Sequence, residues 1–540
     1  MTTLFLILIA FVILTCIGLN NVSSRIGVPT LLAFLLLGLV FSNNAISPIS
    51  FHNQVFAKEA CTVALIFIMF YGGFGTRWES ARPVIRESVL LASVGVILTA
   101  GLVGVFCHYV LHWGWIESFL LGSVISSTDA ASVFSILRAK KLGLKNNTAP
   151  MLEVESGSND PCAYMLTAIM LSLMNGSASA GHIAWIIVAQ ILFGLACGFG
   201  IAKLATMALD RIRFQGSGFD SLFIFAVAIA SYAIPDLIGG NGYLSTYIVG
   251  IILGNHEFKN KKNLVHFFDG ITGLMQVLIF FLLGFLATPS MLPKSILPAL
   301  DIFLFLTLIA RPASVVAILT PFRKYPFRQQ MLISFVGLRG AASIVFAIVA
   351  SAGIESLQHD FFNIVFCLVL ISISVQGSLI PTVAKCLKMI DTKNDVMKTF
   401  NDYNENSEMQ FGRIDISADS TWNGRAIREI DIPKSALIVM IVRGKERILP
   451  RGHTVLMEGD QVITIMKHFE DNYTHLVEKT VKPDSRRVGH KLSEFAGNGL
   501  IVMIQRGEES IIPNGDTILY AGDRLILFDM TRTGENVRNG

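Results

Sequence analysis

Ser126-Ser127-Thr128-Asp129, followed by Glu155-Ser156-Gly157-Ser158-Asn159-Asp160, places carboxylates within or at the end of long apolar runs. A charged side chain inside a bilayer costs about 2.5–3.5 kcal/mol even on mild insertion scales, so such residues mark function by default. In the first stretch, consecutive side chains able to hydrogen-bond the backbone let a helix unwind at mid-membrane without leaving polar groups unsatisfied. In the second, Glu155 and Asn159 lie four apart on one helical stripe, with Ser156 and Asp160 on the neighbouring stripe. An acid, an amide, a hydroxyl and a second acid therefore face one interior. Oxygen donors of this kind suit hard cations, and so few charges let a monovalent ion leave again.

The surrounding composition makes these runs membrane spans. Of 540 residues, 52% are hydrophobic and 15% charged, and the mean hydropathy is +0.59; soluble domains are about 45–50% apolar even with Gly counted. Spans near the ~20 residues a bilayer requires are predicted at 4–18, 28–44, 60–75, 88–111, 115–137, 151–174, 182–208, 219–235, 241–254, 269–287, 296–320, 329–351 and 361–388, about thirteen in all. Leu4 to Gly18 has no Lys or Arg before Arg25, so it reads as a first span with its N-terminus outside, not as a cleaved signal. The inner loops then carry Arg25; Arg77, Arg82 and Arg86; Arg138, Lys140, Lys141 and Lys145; Lys203, Arg211 and Arg213; Lys259, Lys261 and Lys262; and Arg323, Lys324 and Arg328. Only Lys58 and Lys294 fall outside. That bias predicts a multi-pass protein of the cell (inner or plasma) membrane with a cytoplasmic C-terminus, surrounded by membrane lipids. The formal charge of +4 gives no case for a nucleic-acid partner. All seven cysteines fall in apolar stretches with no paired or metal-ligand spacing, which predicts small core residues and no metal beyond a transported cation.

The twelfth span is interrupted too, at Gly337-Leu338-Arg339-Gly340, where glycine flexibility is expected to break the helix. Spans five and twelve are seven apart and so run in opposite directions, as inverted repeats of spans 1–6 and 8–13 require. Paired interruptions are the best sequence pointer to a transporter's binding site. Arg311, in the eleventh span, and Arg339 are the membrane-core arginines available to Glu155. Arg311 is the favoured partner, which leaves Arg339 to face the half-helix ends near Asp129.

Ser127-Thr128-Asp129, Glu155-Ser156-x-x-Asn159-Asp160, Gly337-Leu338-Arg339-Gly340-Ala341 and the stretch Gly239 to Gly254 resemble the monovalent cation/proton antiporters of the NhaP and sodium/proton-exchanger type, up to about residue 390. The resemblance implies crossed broken helices, a homodimer, an ion site at Asp160 supported by Ser156, Asp129 and Thr128, and a Glu155-to-arginine pair. Asn159-Asp160, in place of two adjacent aspartates, looks like the electroneutral branch. Members often carry a Glu in the third span, where Met69-Phe70-Tyr71-Gly72-Gly73 has Tyr71. Proton and cation cannot both occupy one carboxylate, so a single Asp160 couples opposed fluxes by competition, with no enzyme chemistry needed. A Na+/H+ antiporter and, more distantly, a cation channel are the alternatives to K+/H+ exchange.

Beyond Asp391 the pattern turns polar and soluble, which divides the chain into a membrane domain at 1–390, a linker at 391–409 and two modules at 410–472 and 473–540. Leu437 to Gly444, Ile448-Leu449-Pro450 and Gly459-Asp460 recur sixty-three residues later as Leu500 to Gly507, Ile511-Ile512-Pro513 and Gly522-Asp523. Short β-branched runs between Arg-Gly and Gly-Asp turns indicate small β-rich modules. They resemble the C-terminal RCK domain, or TrkA-C. That resemblance implies pairing and small-ligand binding, including cyclic di-AMP in some members, hence a regulatory nucleotide on the tail but no cofactor. RCK-type modules usually accompany potassium systems, which tips the expected cargo from Na+ to K+, exchanged for H+. The predicted fold class is an all-α polytopic membrane domain followed by a small α+β cytoplasmic tail.

Overall fold

The structure of the chain, a computed structural model, describes residues 7, 10–18, 30–42, 54–140, 142–176, 179–212, 218–258, 261–353 and 360–391, then 409–430, 432, 436–444, 446–467, 476–481, 485, 487–494, 499–506, 509–511, 513 and 515–529. The start of the first predicted span, Arg25, Lys141, Arg213, Lys259 and the linker residues 392–408 lie outside these. Two compact units result, Met1–Glu405 and Asn406–Gly540.

In the first unit the helices follow the predicted spans: α1 over residues 10–18, α2 (Thr30–Val40), α3 (Gln54–Gly75), α4 (Ile85–Leu111), α5 (Trp115–Val124), α6 (Ala130–Ala139), α7 (Thr148–Met174), α8 (Ala180–Arg211), α9 (Phe219–Leu237), α10 (Gly242–Asn255), α11 (Lys261–Leu286), α12 (Leu292–Phe322), α13 (Phe327–Phe335), α14 (Ala341–Gly353) and α15 (Phe361–Cys386). Among the described residues, seven helices are long and apolar enough to cross a membrane alone, and α2, α5 and α14 are shorter apolar helices beside them. The others fall short for physical reasons: α6, α10 and α13 are short, and α7 carries Glu153, Glu155 and Asp160. The chain is a multi-pass membrane protein.

Apolar helices gain little by leaving lipid for one another, so small residues that let backbones meet set their packing. At the contact of α2 with α11, a Cβ on Gly38 would lie 2.1 Å from the Phe281 carbonyl oxygen, and one on Gly284 would lie 2.0 Å from that of Leu35. Single π-helical turns widen α4 at Leu91–Gly95 and α12 at Leu306–Ala310. These two helices also touch, with Thr99 Oγ1 and Ser314 Oγ sharing a hydrogen bond of 3.0 Å.

The fifth and twelfth spans are broken: α5 stops at Val124 and α6 starts at Ala130, while α13 stops at Phe335 and α14 starts at Ala341. At the second break neither Gly337 nor Gly340 has a positive φ. Close approach accounts for the absence of a side chain at both. A Cβ on Gly340 would stand 2.0 Å from Asp129 Oδ2, and one on Gly337 would stand 3.1 Å from Arg311 Nε. The cysteines also need correcting as a set: Cys16, Cys61, Cys107 and Cys367 are buried, Cys162 and Cys197 are half-buried, and Cys386 is exposed. Cys386 ends α15, where the chain leaves the apolar core.

The first unit also holds a short antiparallel pair, β1 (Gly143–Leu144) with β2 (Ile390–Asp391). The second unit holds two four-stranded antiparallel sheets of the same topology. One orders β3 (Met409–Asp415), β6 (Gln461–Lys467), β4 (Ala436–Arg443) and β5 (Glu446–Ile448). The other orders β7 (Leu476–Thr480), β10 (Arg524–Asp529), β8 (Gly499–Arg506) and β9 (Glu509–Ile511). The helical piece described in each is a 3-10 turn, Ile427–Glu429 and Leu492–Glu494. The repeat holds at the level of atoms. Arg443 grips Asp460 with Nε to Oδ1 at 2.7 Å and Nη2 to Oδ2 at 2.8 Å, and Arg506 grips Asp523 at 2.8 Å twice. The guanidinium hydrogen bonds hold both carboxyls below the usual carboxylate range.

Candidate functional site

The two breaks meet. Asp129 N–H, at the start of α6, donates to the Leu338 carbonyl at 2.8 Å. Arg339 reaches back with Nη1 to the carbonyls of Ser126 (2.8 Å) and Ser127 (2.5 Å), in the break just beyond the C-terminal end of α5. A buried guanidinium thus sits against the negative end of one half-helix dipole. Asp129 takes the opposite end: its carboxylate accepts from the Ser132 N–H (3.1 Å) and hydroxyl (2.5 Å), capping α6 where the backbone N–H groups have no helical partner.

α7 runs beside this crossing and ties itself to the first break. The Ser156 hydroxyl donates to the Thr128 carbonyl and accepts from the Ala130 N–H, both at 2.8 Å. Asn159 Nδ2 donates to Thr128 Oγ1 at 2.6 Å. One turn from Ser156, Asp160 is 8% exposed and accepts a hydrogen bond from the Ser127 hydroxyl. Pro161 follows, and lacking an N–H it leaves the Gly157 carbonyl without its usual helical donor. Glu155, on the other stripe of α7, pairs with Arg311 of α12, their side chains 1% and 3% exposed.

A cavity of about 650 Å³ opens onto the crossing and is lined by Thr128, Asp129, Ser156, Gly157 and Asp160. Asn159 does not line it; the amide holds Thr128 from behind. Nor do Glu155, Arg311 and Arg339, which brace the breaks. Two acids missing from the sequence reading share the wall, Glu153 and Asp269. Glu153 stands one turn before the Ser156–Asp160 stripe and could have been found from that spacing. Asp269 sits at the very edge of a predicted span, and only the fold brings α11 to the cavity.

A buried carboxylate at the crossing of two half-helices, reached through one cavity, defines the class: a secondary transporter for a small cation. The transmembrane sodium/hydrogen exchanger family matches residues 7–386, and the TrkA-C domain family matches residues 412–468 and 476–528. The chain belongs to the sodium/hydrogen exchanger family. It is 32% identical over 469 residues to the K(+)/H(+) antiporter NhaP of Alkalimonas amylolytica, covering 86% of this chain and 81% of that one. It is likewise 32% identical over 448 residues to the K(+)/H(+) antiporter NhaP2 of Shewanella sp. (strain MR-4), covering 82% and 77%. Among solved structures, the sodium proton antiporter MjNhaP1 from Methanocaldococcus jannaschii at pH 8 shares the fold, with a TM-score of 0.61 at 22% identity over 69% of this chain and 99% of that one.

Proposed function

We propose that this chain is a cation/proton antiporter whose exchange runs through Asp160, with K+ as the cargo and one proton returned per cation. The observation that carries the mechanism is the placement of Asp160: buried, held by Ser127, and facing the cavity at the crossing. Cation and proton compete for its oxygens, so the site moves loaded with one or the other. Asp129, Thr128 and Ser156 are assigned to the same site, with Asn159 positioning Thr128. Glu155 with Arg311, and Arg339, are assigned to bracing the broken helices at Ser126, Ser127, Gly337 and Gly340. Alternating access follows when the bundle bearing the crossing moves against the rest of the helices.

The cation identity is supported by the relatives named above and by the tail. The reading includes a homodimer, an N-terminus outside, a cytoplasmic tail, and a regulatory nucleotide on modules at 410–472 and 473–540, joined by a linker at 391–409 to the membrane domain at 1–390. A ligand there tunes transport only through its differential affinity for two tail arrangements. The test is cation-driven proton movement in proteoliposomes with K+, Na+, Rb+ and Li+ in turn. Proton flux with K+ that disappears in Asp160→Asn supports the reading. Flux driven by Na+ but not K+ turns it to the sodium alternative, and saturation without proton countermovement removes antiport altogether.

A further inference from the structure

Away from the crossing, α11 lays Asp269 and Thr272 on one face, three residues apart, and both line the cavity that holds Asp160. Tyr71 of α3 closes the group, its hydroxyl donating to Asp269 Oδ1 at 3.3 Å. Asp269 is exposed to the cavity mouth, whereas Thr272 is buried, 7% exposed. The Thr272 hydroxyl has no hydrogen-bond partner among the described residues. A buried hydroxyl left unmatched costs about 1–3 kcal/mol, so its retention on a cavity wall asks for a ligand.

We infer that Asp269, Thr272 and Tyr71 form a second monovalent-cation site in this cavity, a staging post occupied before the ion reaches Asp160. The inference rests on the antiport reading. Its chemistry is that of a weak site: one carboxylate for charge, two neutral hydroxyl oxygens, and open space for the ion to keep part of its water. Weakness is what a staging post needs, since a tightly held ion would not move on. A carboxylate at the mouth also raises the local cation concentration.

Two substitutions separate ligation from a general field. Asp269→Asn removes the charge with little change of shape. Thr272→Val removes only a hydroxyl that has no protein partner, so the variant is expected to be at least as stable as wild type. In full-length protein in proteoliposomes, each should raise the apparent KM for K+ about three- to tenfold, the weight of one lost contact, with a smaller change in maximal rate. The shift should persist when choline chloride is raised to about 0.15 M, where long-range attraction is screened. A binding readout independent of transport uses Asp160→Asn: Rb+ should still raise its unfolding temperature, and adding Asp269→Asn should abolish that rise. The inference is overturned if both KM values stay within twofold of wild type, if choline erases the Asp269→Asn effect while Thr272→Val is silent, or if Asp160→Asn gains nothing from Rb+. Wild-type protein that shows no cation-driven proton movement overturns the antiport reading instead, and the Rb+ measurement still decides the site.

Discussion

Neutralising one member of the Glu155–Arg311 pair should destabilise the membrane unit far more than neutralising both. Both side chains are buried, and neither has a ready substitute partner: Glu155 Oε2 and Arg311 Nε make no hydrogen bond among the described residues. Arg339, the other core guanidinium, is committed to the Ser126 and Ser127 carbonyls. A surviving lone charge then costs about 3–5 kcal/mol, whereas replacing a whole buried pair by neutral side chains of similar volume is often neutral or stabilising. Glu155→Gln and Arg311→Met should therefore each lower the stability of the purified protein in detergent by about 3–5 kcal/mol, and the double variant should recover most of that loss. The coupling energy would be several times the ~0.5 kcal/mol scatter expected of independent sites. Thermal unfolding of the four proteins in one detergent measures it, with Asp160→Ala as a cheaper control. Single variants as stable as wild type, or a double variant destabilised by the sum of the two, would refute the reasoning.

Asp160→Asn should abolish cation-driven proton movement while the protein still inserts and unfolds cooperatively; coupled exchange retained in that variant would move the ion site elsewhere. Gly340→Ala should cost about 1–3 kcal/mol by overpacking and impair exchange, since the new Cβ would stand 2.0 Å from Asp129 Oδ2, while Gly337→Ala, with its nearest neighbour at 3.1 Å, should be milder. In the tail, Asp460 and Asp523 have carboxyls held below their ordinary value by Arg443 and Arg506, so their stabilisation is fully present above the unfolded-chain value near ~3.9 and is lost as pH falls through the lower folded value. Acid unfolding of Asp460→Asn should show a shallower loss over that window, and identical profiles would dissociate the pair from acid stability. A chain ending at Asp391 should keep cation/proton exchange and lose any rate response to a cyclic dinucleotide, and an unchanged response would reduce the tail to a clamp.

Spans were legible because twenty apolar residues in a row leave few alternatives, and the Ser126–Asp129 break was legible because polar side chains announce it. The reason for Gly340 was not: a missing side chain looks the same whether it serves bending or contact, and only Asp129 lying against it decides. Asp269 was invisible for a related cause, since nothing on α11 records which helices will face it. The tail shows a third limit. The last three strands of each module recur at sixty-three residues, but the N–H of Ile416 donates to the Asp460 carbonyl as that of Val481 does to the Asp523 carbonyl, with the donors sixty-five residues apart. A two-residue difference ahead of β4 and β8 therefore blurred the first half of the second module, although the backbone pairing is the same in both.

The charges at the crossing have a consequence for the membrane's electric field. Three carboxylates, Asp129, Glu155 and Asp160, stand against two guanidiniums, Arg311 and Arg339. On the proposed cycle, one cation or one proton on Asp160 brings those five side chains to zero, and that cluster crosses the field without electrical work, where each uncompensated charge would exchange about 2.3 kcal/mol per 100 mV. Emptied of cargo, the same cluster keeps one unbalanced negative charge, and carrying that through the low-dielectric core is costly in either direction. The vacant site is therefore anchored to the side on which it was emptied until another ion arrives, which keeps a one-for-one exchange from slipping into a leak.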